Sequence, residues 1–188
     1  GCARIGGHDI QQDHIAAKRL IGYVPDTPYL YEKLSAREFL GFVGDLYDIP
    51  AVTLAERVPE LLDLFGLTPV ADRLIEDYSH GMRQKAVMSA CLLHDPQAII
   101  IDEPMVGLDP QSSHLVKTIL RRQCERGASV FMSTHTLSLA EDVCDRVAII
   151  LKGRVIAIGT VAELKREYGS SGDLEELFLD LTGRAVGA

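Results

Sequence analysis

The chain has 188 residues, 47% of them hydrophobic, with 19 Lys and Arg set against 27 Asp and Glu for a net charge of −8 at pH 7. This is enough apolar material for a sizeable core and excludes a disordered tail, while dispersed basic residues and a pI near 5.2 exclude a general nucleic-acid binder. No apolar run approaches the roughly 20 residues of a membrane span, and Cys2, Cys91, Cys124 and Cys144 stand too far apart for a zinc site or a disulfide framework, so they read as reduced core thiols.

Taken in order, Arg19 to Pro25 predicts a short strand stopped by proline, which feeds an exposed loop at Asp26-Thr27-Pro28. From about Ser35 to Leu67 the pattern is helical. Ser35 and Glu38 carry a capping-box signature, and Leu54, Val58, Leu61, Leu62 and Phe65 recur at helical spacing before Gly66. Pro59 either kinks the second helix or sits in its first turn. A glycine turn at Tyr78-Ser79-His80-Gly81 opens a helix over Met82 to Leu93, with Ala86, Val87, Ala90 and Cys91 on one face, and His94-Asp95-Pro96 ends it.

The second half alternates strand and helix. Residues 98 to 101 predict a strand, Asp109-Pro110 an N-cap and first helical residue, and Ala128 to Ser133 the next strand. Thr136 or Ser138 starts a short helix, Arg146 to Ile158 reads as two strands around Lys152-Gly153, and Thr160 with Glu163 caps a further helix. This alternation predicts an α/β fold with a mostly parallel sheet flanked by helices, and the apolar runs at 98–101 and 147–151 predict strands buried on both faces. Residues 1–29 and 96–168 form the α/β core of a single domain, about 30–95 an inserted helical lobe, and 169–188 a C-terminal helix.

One stretch carries the chemistry. The dry run Ala98-Ile99-Ile100-Ile101 delivers two adjacent carboxylates, Asp102 and Glu103, to one point. A nucleotide hydrolase needs such a pair: Asp102 to hold Mg²⁺ directly or through water, Glu103 to orient or deprotonate the water that attacks a phosphate. Farther on, His135 follows Ser133-Thr134, a strand and a helix after the acid pair.

The fixed order of the loop at Asp26, Tyr-Ser-His-Gly-Met at 78–82, Ile-Ile-Ile-Asp-Glu-Pro at 99–104, Val-Gly-Leu-Asp at 106–109 and Ser-Thr-His at 133–135 resembles the ATP-binding subunit of ABC transporters. That resemblance covers essentially the whole chain and implies a P-loop NTPase-like (RecA-like) fold with an inserted helical subdomain. It implies ATP and Mg²⁺ as ligands, with Asp102 in the metal shell, Glu103 as catalytic carboxylate, His135 as switch histidine and Asp109 as the D-loop residue. Ser79 and Gly81 are retained from the usual Leu-Ser-Gly-Gly-Gln signature and would face ATP held by a second ATP-binding subunit, so a dimer is implied. His80 and Met82 depart from that consensus, and Asp26 stands where the family commonly has Gln, which bears on metal coordination by the loop. A transmembrane permease subunit is the implied partner, nucleic acid is not, and the implied location is cytoplasmic and peripheral on the inner face of the cell membrane. Gly-Leu-Asp-Pro, Cys-Asp-Arg-Val-Ala-Ile-Ile and the terminal Leu-Glu-Glu-Leu-Phe-Leu-Asp-Leu-Thr resemble the exporter branch. The alternatives are a non-catalytic or regulatory remnant and a soluble ABC protein outside transport.

A phosphate loop of the form Gly-x-x-x-x-Gly-Lys-Ser/Thr is required for the β- and γ-phosphates, yet no Gly-Lys occurs in the chain. Gly1 and Gly6 have the spacing, but Gly7-His8 replaces Lys-Ser/Thr. The start at Gly1 reads as that of a fragment, expected to bind ATP weakly or not at all and to leave an edge of its sheet uncovered.

Overall fold

A computed structural model of the chain describes residues 1–168 and 172–186, with side chains described through residue 183, in two compact units, Gly1–Ser133 and Thr134–Ala188. In the first unit, β1 (Arg4–Ile5) and β2 (His8–Asp9) form an antiparallel hairpin. Gly6 and Gly7 link them with φ of +54° and +87°, so Gly6, one of the two glycines at phosphate-loop spacing, instead joins Gly7 in the tight reversal that two left-handed residues permit. Helix α1 (His14–Arg19) leads to β3 (Ile21–Val24), the strand expected before the Asp26 loop.

The helical lobe follows as α2 (Ala36–Leu46), α3 (Ala51–Leu64) and α4 (His80–Leu92). The predicted capping box is present: Ser35 Oγ accepts the Glu38 N–H, and the Glu38 carboxylate accepts the Ser35 N–H at 2.8 Å. Pro59 is not in the first turn, because α3 begins at Ala51 and runs through it. Pro59 and Ala55, whose carbonyl loses its helical donor, are both exposed, so water can satisfy that carbonyl. Helix α4 is buried nearly all round, from Gln84 through Leu92, rather than on one face. It packs on β3 at Gly22, where an added Cβ would lie 2.5 Å from Cys91 Sγ and 2.9 Å from the Cys91 carbonyl. Cys91 alone of the four cysteines fits the reading of a buried core thiol, its ionisation pushed up to about 12 by burial; Cys2 and Cys124 are exposed and Cys144 is half-buried.

Strands β4 (Ala98–Asp102) and β5 (Ser129–Ser133) join β3 in a parallel sheet of order β3-β4-β5, with α5 (Pro110–Glu125) as the crossover. Val24, Ile99 and Ile101 point into the core with α4 and α5. The other face differs from expectation. Tyr23, Ile100 and Phe131 are in register across the three strands, and Tyr23 is 57% and Phe131 68% exposed. The uncovered surface is a sheet face, not only an edge.

In the second unit, α6 (Leu137–Val143) precedes β6 (Val147–Leu151) and β7 (Arg154–Gly159), then α7 (Val161–Tyr168) and α8 (Leu174–Val186). The run at 147–151 is not a parallel strand buried on both faces. β6 and β7 are antiparallel neighbours through a turn with Lys152 and Gly153 at φ of +49° and +76°, and Ile150 and Ile158 are exposed while Ile149 and Ala157 pack inward with Leu164, Leu174 and Leu177. A left-handed pair returns the chain at once and leaves no length for a parallel crossover. Thr160 and Glu163 cap α7 reciprocally, as predicted. Glu141 ties this unit together by accepting from Lys165 Nζ at 2.7 Å and from the Leu174 N–H at 3.1 Å.

Candidate functional site

Parallel pairing carries the chemistry to one end of the sheet in the first unit. β3 and β4 align Val24 with Ile101, and β4 and β5 align Asp102 with Ser133, so Asp26, Asp102 and Glu103 all follow the carboxyl ends of strands. Loops beyond those ends are where open α/β sheets present ligand sites. Asp26 is exposed on the loop after β3.

Asp102 and Glu103 are adjacent in sequence but differ in backbone. Asp102 closes the extended strand, half-buried, and its Oδ1 accepts the Ser133 hydroxyl at 2.5 Å. Glu103 turns into the left-handed region at φ +48°, and its N–H donates to the Ser133 carbonyl at 3.0 Å. The two neighbours thus differ in backbone hand, Asp102 extended and Glu103 left-handed. Two turns follow: Val106 N–H donates to the Glu103 carbonyl at 3.3 Å, and Leu108 N–H to the Met105 carbonyl at 3.2 Å.

Those turns end on Asp109, the N-cap of α5. Its carboxylate accepts the Ser112 hydroxyl at 2.6 Å and the Ser112 N–H at 2.9 Å, with Pro110 in the first helical position. These two bonds, the hydroxyl's above all, hold the Asp109 carboxyl below its ordinary range, and nearby Lys85 adds to them.

Ser79 caps α4, its Oγ accepting the Met82 N–H at 3.3 Å, and stands exposed at the positive end of a 13-residue helix. Two supports of this turn were not legible in the sequence. Tyr78 is buried at 5% exposure and donates its hydroxyl to the Val70 carbonyl at 2.7 Å. Arg83 reaches back to the carbonyls of Tyr78 at 3.2 Å and Glu76 at 3.1 Å while pairing with Glu32 at 2.6 Å. An arginine five residues after an aromatic gives no periodic signal, and only the fold reveals its role.

Gly81 sits in the first turn of α4 against the acidic loop, where an added Cβ would approach the Gly107 carbonyl oxygen to 2.9 Å. The turn carrying Ser79 and the turn carrying Glu103 and Asp109 are thus in contact within one chain. His135 belongs to the second unit, exposed between Thr134 and the start of α6, where the Thr136 N–H donates to Thr134 Oγ1 at 3.1 Å.

Mg²⁺ binds through one or two carboxylates with water and phosphate oxygens completing its shell. Asp102, oriented by Ser133 at the sheet end, fits one such carboxylate. Among the described residues no cluster of three or more His, Cys, Asp or Glu could hold a metal by itself.

The family model described as ABC transporter matches residues 1–106. The linearmycin resistance ATP-binding protein LnrL of Bacillus subtilis is 38% identical over 90% of this chain and 54% of its own length. The daunorubicin/doxorubicin resistance ATP-binding protein DrrA of Streptomyces peucetius is 37% identical over 91% of this chain and 52% of its own. A solved ATP-binding subunit of an ABC transporter superposes with a TM-score of 0.89 at 35% identity, covering 95% of this chain and 75% of that one. The chain spans about half the length of the curated relatives it matches.

Proposed function

The chain belongs to the ABC transporter family as an ATP-binding subunit, and from that membership we propose that the protein hydrolyses ATP to drive an exporter. The observation that carries the reading is the acid pair at the end of β4, with Asp102 fixed by Ser133 and Glu103 held in a left-handed turn beside it.

In this reading Glu103 directs a water at the γ-phosphorus and takes its proton as the new P–O bond forms and the bond to the β-phosphate oxygen breaks, leaving ADP and phosphate. Asp102 orients the shell of a Mg²⁺ ion, which when bound neutralises charge on the β- and γ-oxygens. His135 donates to the γ-phosphate. Ser79, Gly81 and the first N–H groups of α4 meet the nucleotide of a second ATP-binding subunit, and Asp109 links the two sites. Asp26 stands in the place of the usual Gln and offers a carboxylate where the family has an amide carbonyl, which changes what the loop after β3 could present to the metal.

No described helix is long and apolar enough to cross a membrane. In this reading, as the family membership suggests, the partner is a transmembrane permease and the subunit works on its cytoplasmic side. The resistance proteins LnrL and DrrA support export as the direction. In this reading the chain just beyond Asp26, where Tyr29 and Tyr31 are exposed, meets that partner.

The 188 residues contain no Gly-Lys phosphate cradle, and by themselves bind ATP weakly or not at all; tight stoichiometric binding with Mg²⁺ in calorimetry would count against this. In a complete subunit that carries such a cradle, Glu103→Gln abolishes turnover while sparing nucleotide binding. Unchanged ATPase activity in that variant removes Glu103 from its role.

A further inference from the structure

At position 80 this chain carries histidine where the family signature usually has glycine, and the added ring has a specific neighbour. It lies on the Cα of Gly107: a Cβ built there would overlap His80 Cδ2, with Nε2 at 2.9 Å and Cγ at 3.2 Å. Gly107 is left-handed at φ +74° and sits between Glu103 and Asp109. On the other side of the same loop, its carbonyl oxygen fits the space left by the missing side chain of Gly81. The first turn of α4 therefore grips the loop with a ring against its Cα and a bare backbone against its carbonyl. Val106 and Gly107 are exposed, so the grip of α4 is a main restraint on an otherwise solvent-facing turn.

We propose that His80 is a positioning residue that makes the Ser79 turn and the Glu103–Asp109 turn of one chain move as a unit, so that a nucleotide pressed on Ser79 by the partner subunit sets the placement of this chain's own Glu103. The inference rests on the roles proposed above for Ser79 and Glu103. Its physical basis is shape. A flat ring slides onto a glycine Cα without a gap, whereas glycine at 80 leaves a void and lets the loop shift, and small misplacements of a catalytic group are costly in rate.

The test uses the complete subunit in its transporter complex, with His80→Gly, Gly107→Ala and the double variant. Gly107→Ala carries both left-handed strain and collision with the ring; without the ring only the strain remains. The drop in melting temperature caused by Gly107→Ala is expected to be at least about halved in the His80→Gly background, and the amides of Val106 and Leu108 are expected to exchange faster in His80→Gly than in the parent. His80→Gly is expected to lower kcat by about tenfold with KM for ATP within about twofold. His80→Phe, which restores a flat ring without a proton to share, is expected to recover most of the rate, and His80→Lys is not. Additive melting shifts with unchanged amide exchange overturn the proposal, as does a raised KM at constant kcat. Failure of the reading beneath it has a separate signature, full activity in Glu103→Gln.

Discussion

Tyr78 offers the sharpest test of how the Ser79 turn is held. Its ring fills the helical lobe at 5% exposure, and its hydroxyl donates to the Val70 carbonyl at 2.7 Å, with burial raising the phenol's ionisation above its ordinary range so that it stays a donor. Tyr78→Phe keeps the packing and removes the bond, leaving the half-buried Val70 carbonyl without that donor, at a cost of about 1–2 kcal/mol. Tyr78→Ala also empties the ring's place, at about 3–5 kcal/mol. Tyr78→Leu, the usual residue of the family signature, falls between them. For a chain of this length each kcal/mol lowers the melting temperature by about 2–4 °C, so Tyr78→Phe is expected to melt about 2–8 °C below the parent. Thermal unfolding followed by circular dichroism measures this, and hydrogen exchange at Ser79 to Met82 reports whether the turn loosens. If Tyr78→Phe melts with the parent and Tyr78→Ala drops no further than a surface substitution, Tyr78 does not anchor the turn.

Gly22→Ala forces a Cβ to 2.5 Å from Cys91 Sγ and 3.0 Å from Pro96 Cγ, and is expected to cost about 1–3 kcal/mol by urea unfolding; a neutral result would show that α4 can lift from β3 without penalty. Burial lowers the pKa of His94 below its ordinary 6.5, where the ring stacks on Tyr47 at 3.8 Å and Nε2 donates to the Ile21 carbonyl at 3.0 Å. The unfolded chain then takes up a proton that the folded one refuses, so this contribution is full above pH 6.5 and is lost as pH falls from 6.5 toward the folded value. Melting temperature measured from about pH 7.5 to about pH 5.5 should fall less in His94→Gln than in the parent.

What the sequence made legible was local. Ser35 with Glu38, Thr160 with Glu163 and Asp109 with Pro110 act within one helical turn, and all three caps are present. The β3, β4 and β5 strands were legible from apolar runs bounded by breakers. What failed depended on distant neighbours. Ile100 and Ile150 read as buried on both faces of their strands, but exposure is decided by what lies across the sheet, and a run of isoleucines contains no such information. Pro59 lies in a helix interior, and its cost there depends on whether the freed carbonyl can reach water, a property of the lobe's surface. Tyr78 and Arg83 escaped notice for a related reason: their partners, Val70, Glu76 and Glu32, lie on separate segments that only folding brings together.

The backbone of Glu103 bears on function more directly than any motif. Asp48, Asp95 and Lys152 are also left-handed, but the first two are short polar side chains after helices and the third sits in a hairpin turn, where that conformation is inexpensive. Glu103 has neither excuse. It is a long side chain leaving a parallel strand, and it precedes Pro104, whose ring drives the preceding residue toward extended backbone. Such a residue costs on the order of 1 kcal/mol or more, and glycine would relieve it. The Ser133 carbonyl that accepts its N–H, buried Pro104 behind it and the α4 turn pressing on Gly107 supply the restraint that holds it there. In the proposed reading that restraint serves the Glu103 carboxylate, and the loss of turnover expected in Glu103→Gln, which keeps shape and removes charge, tests it.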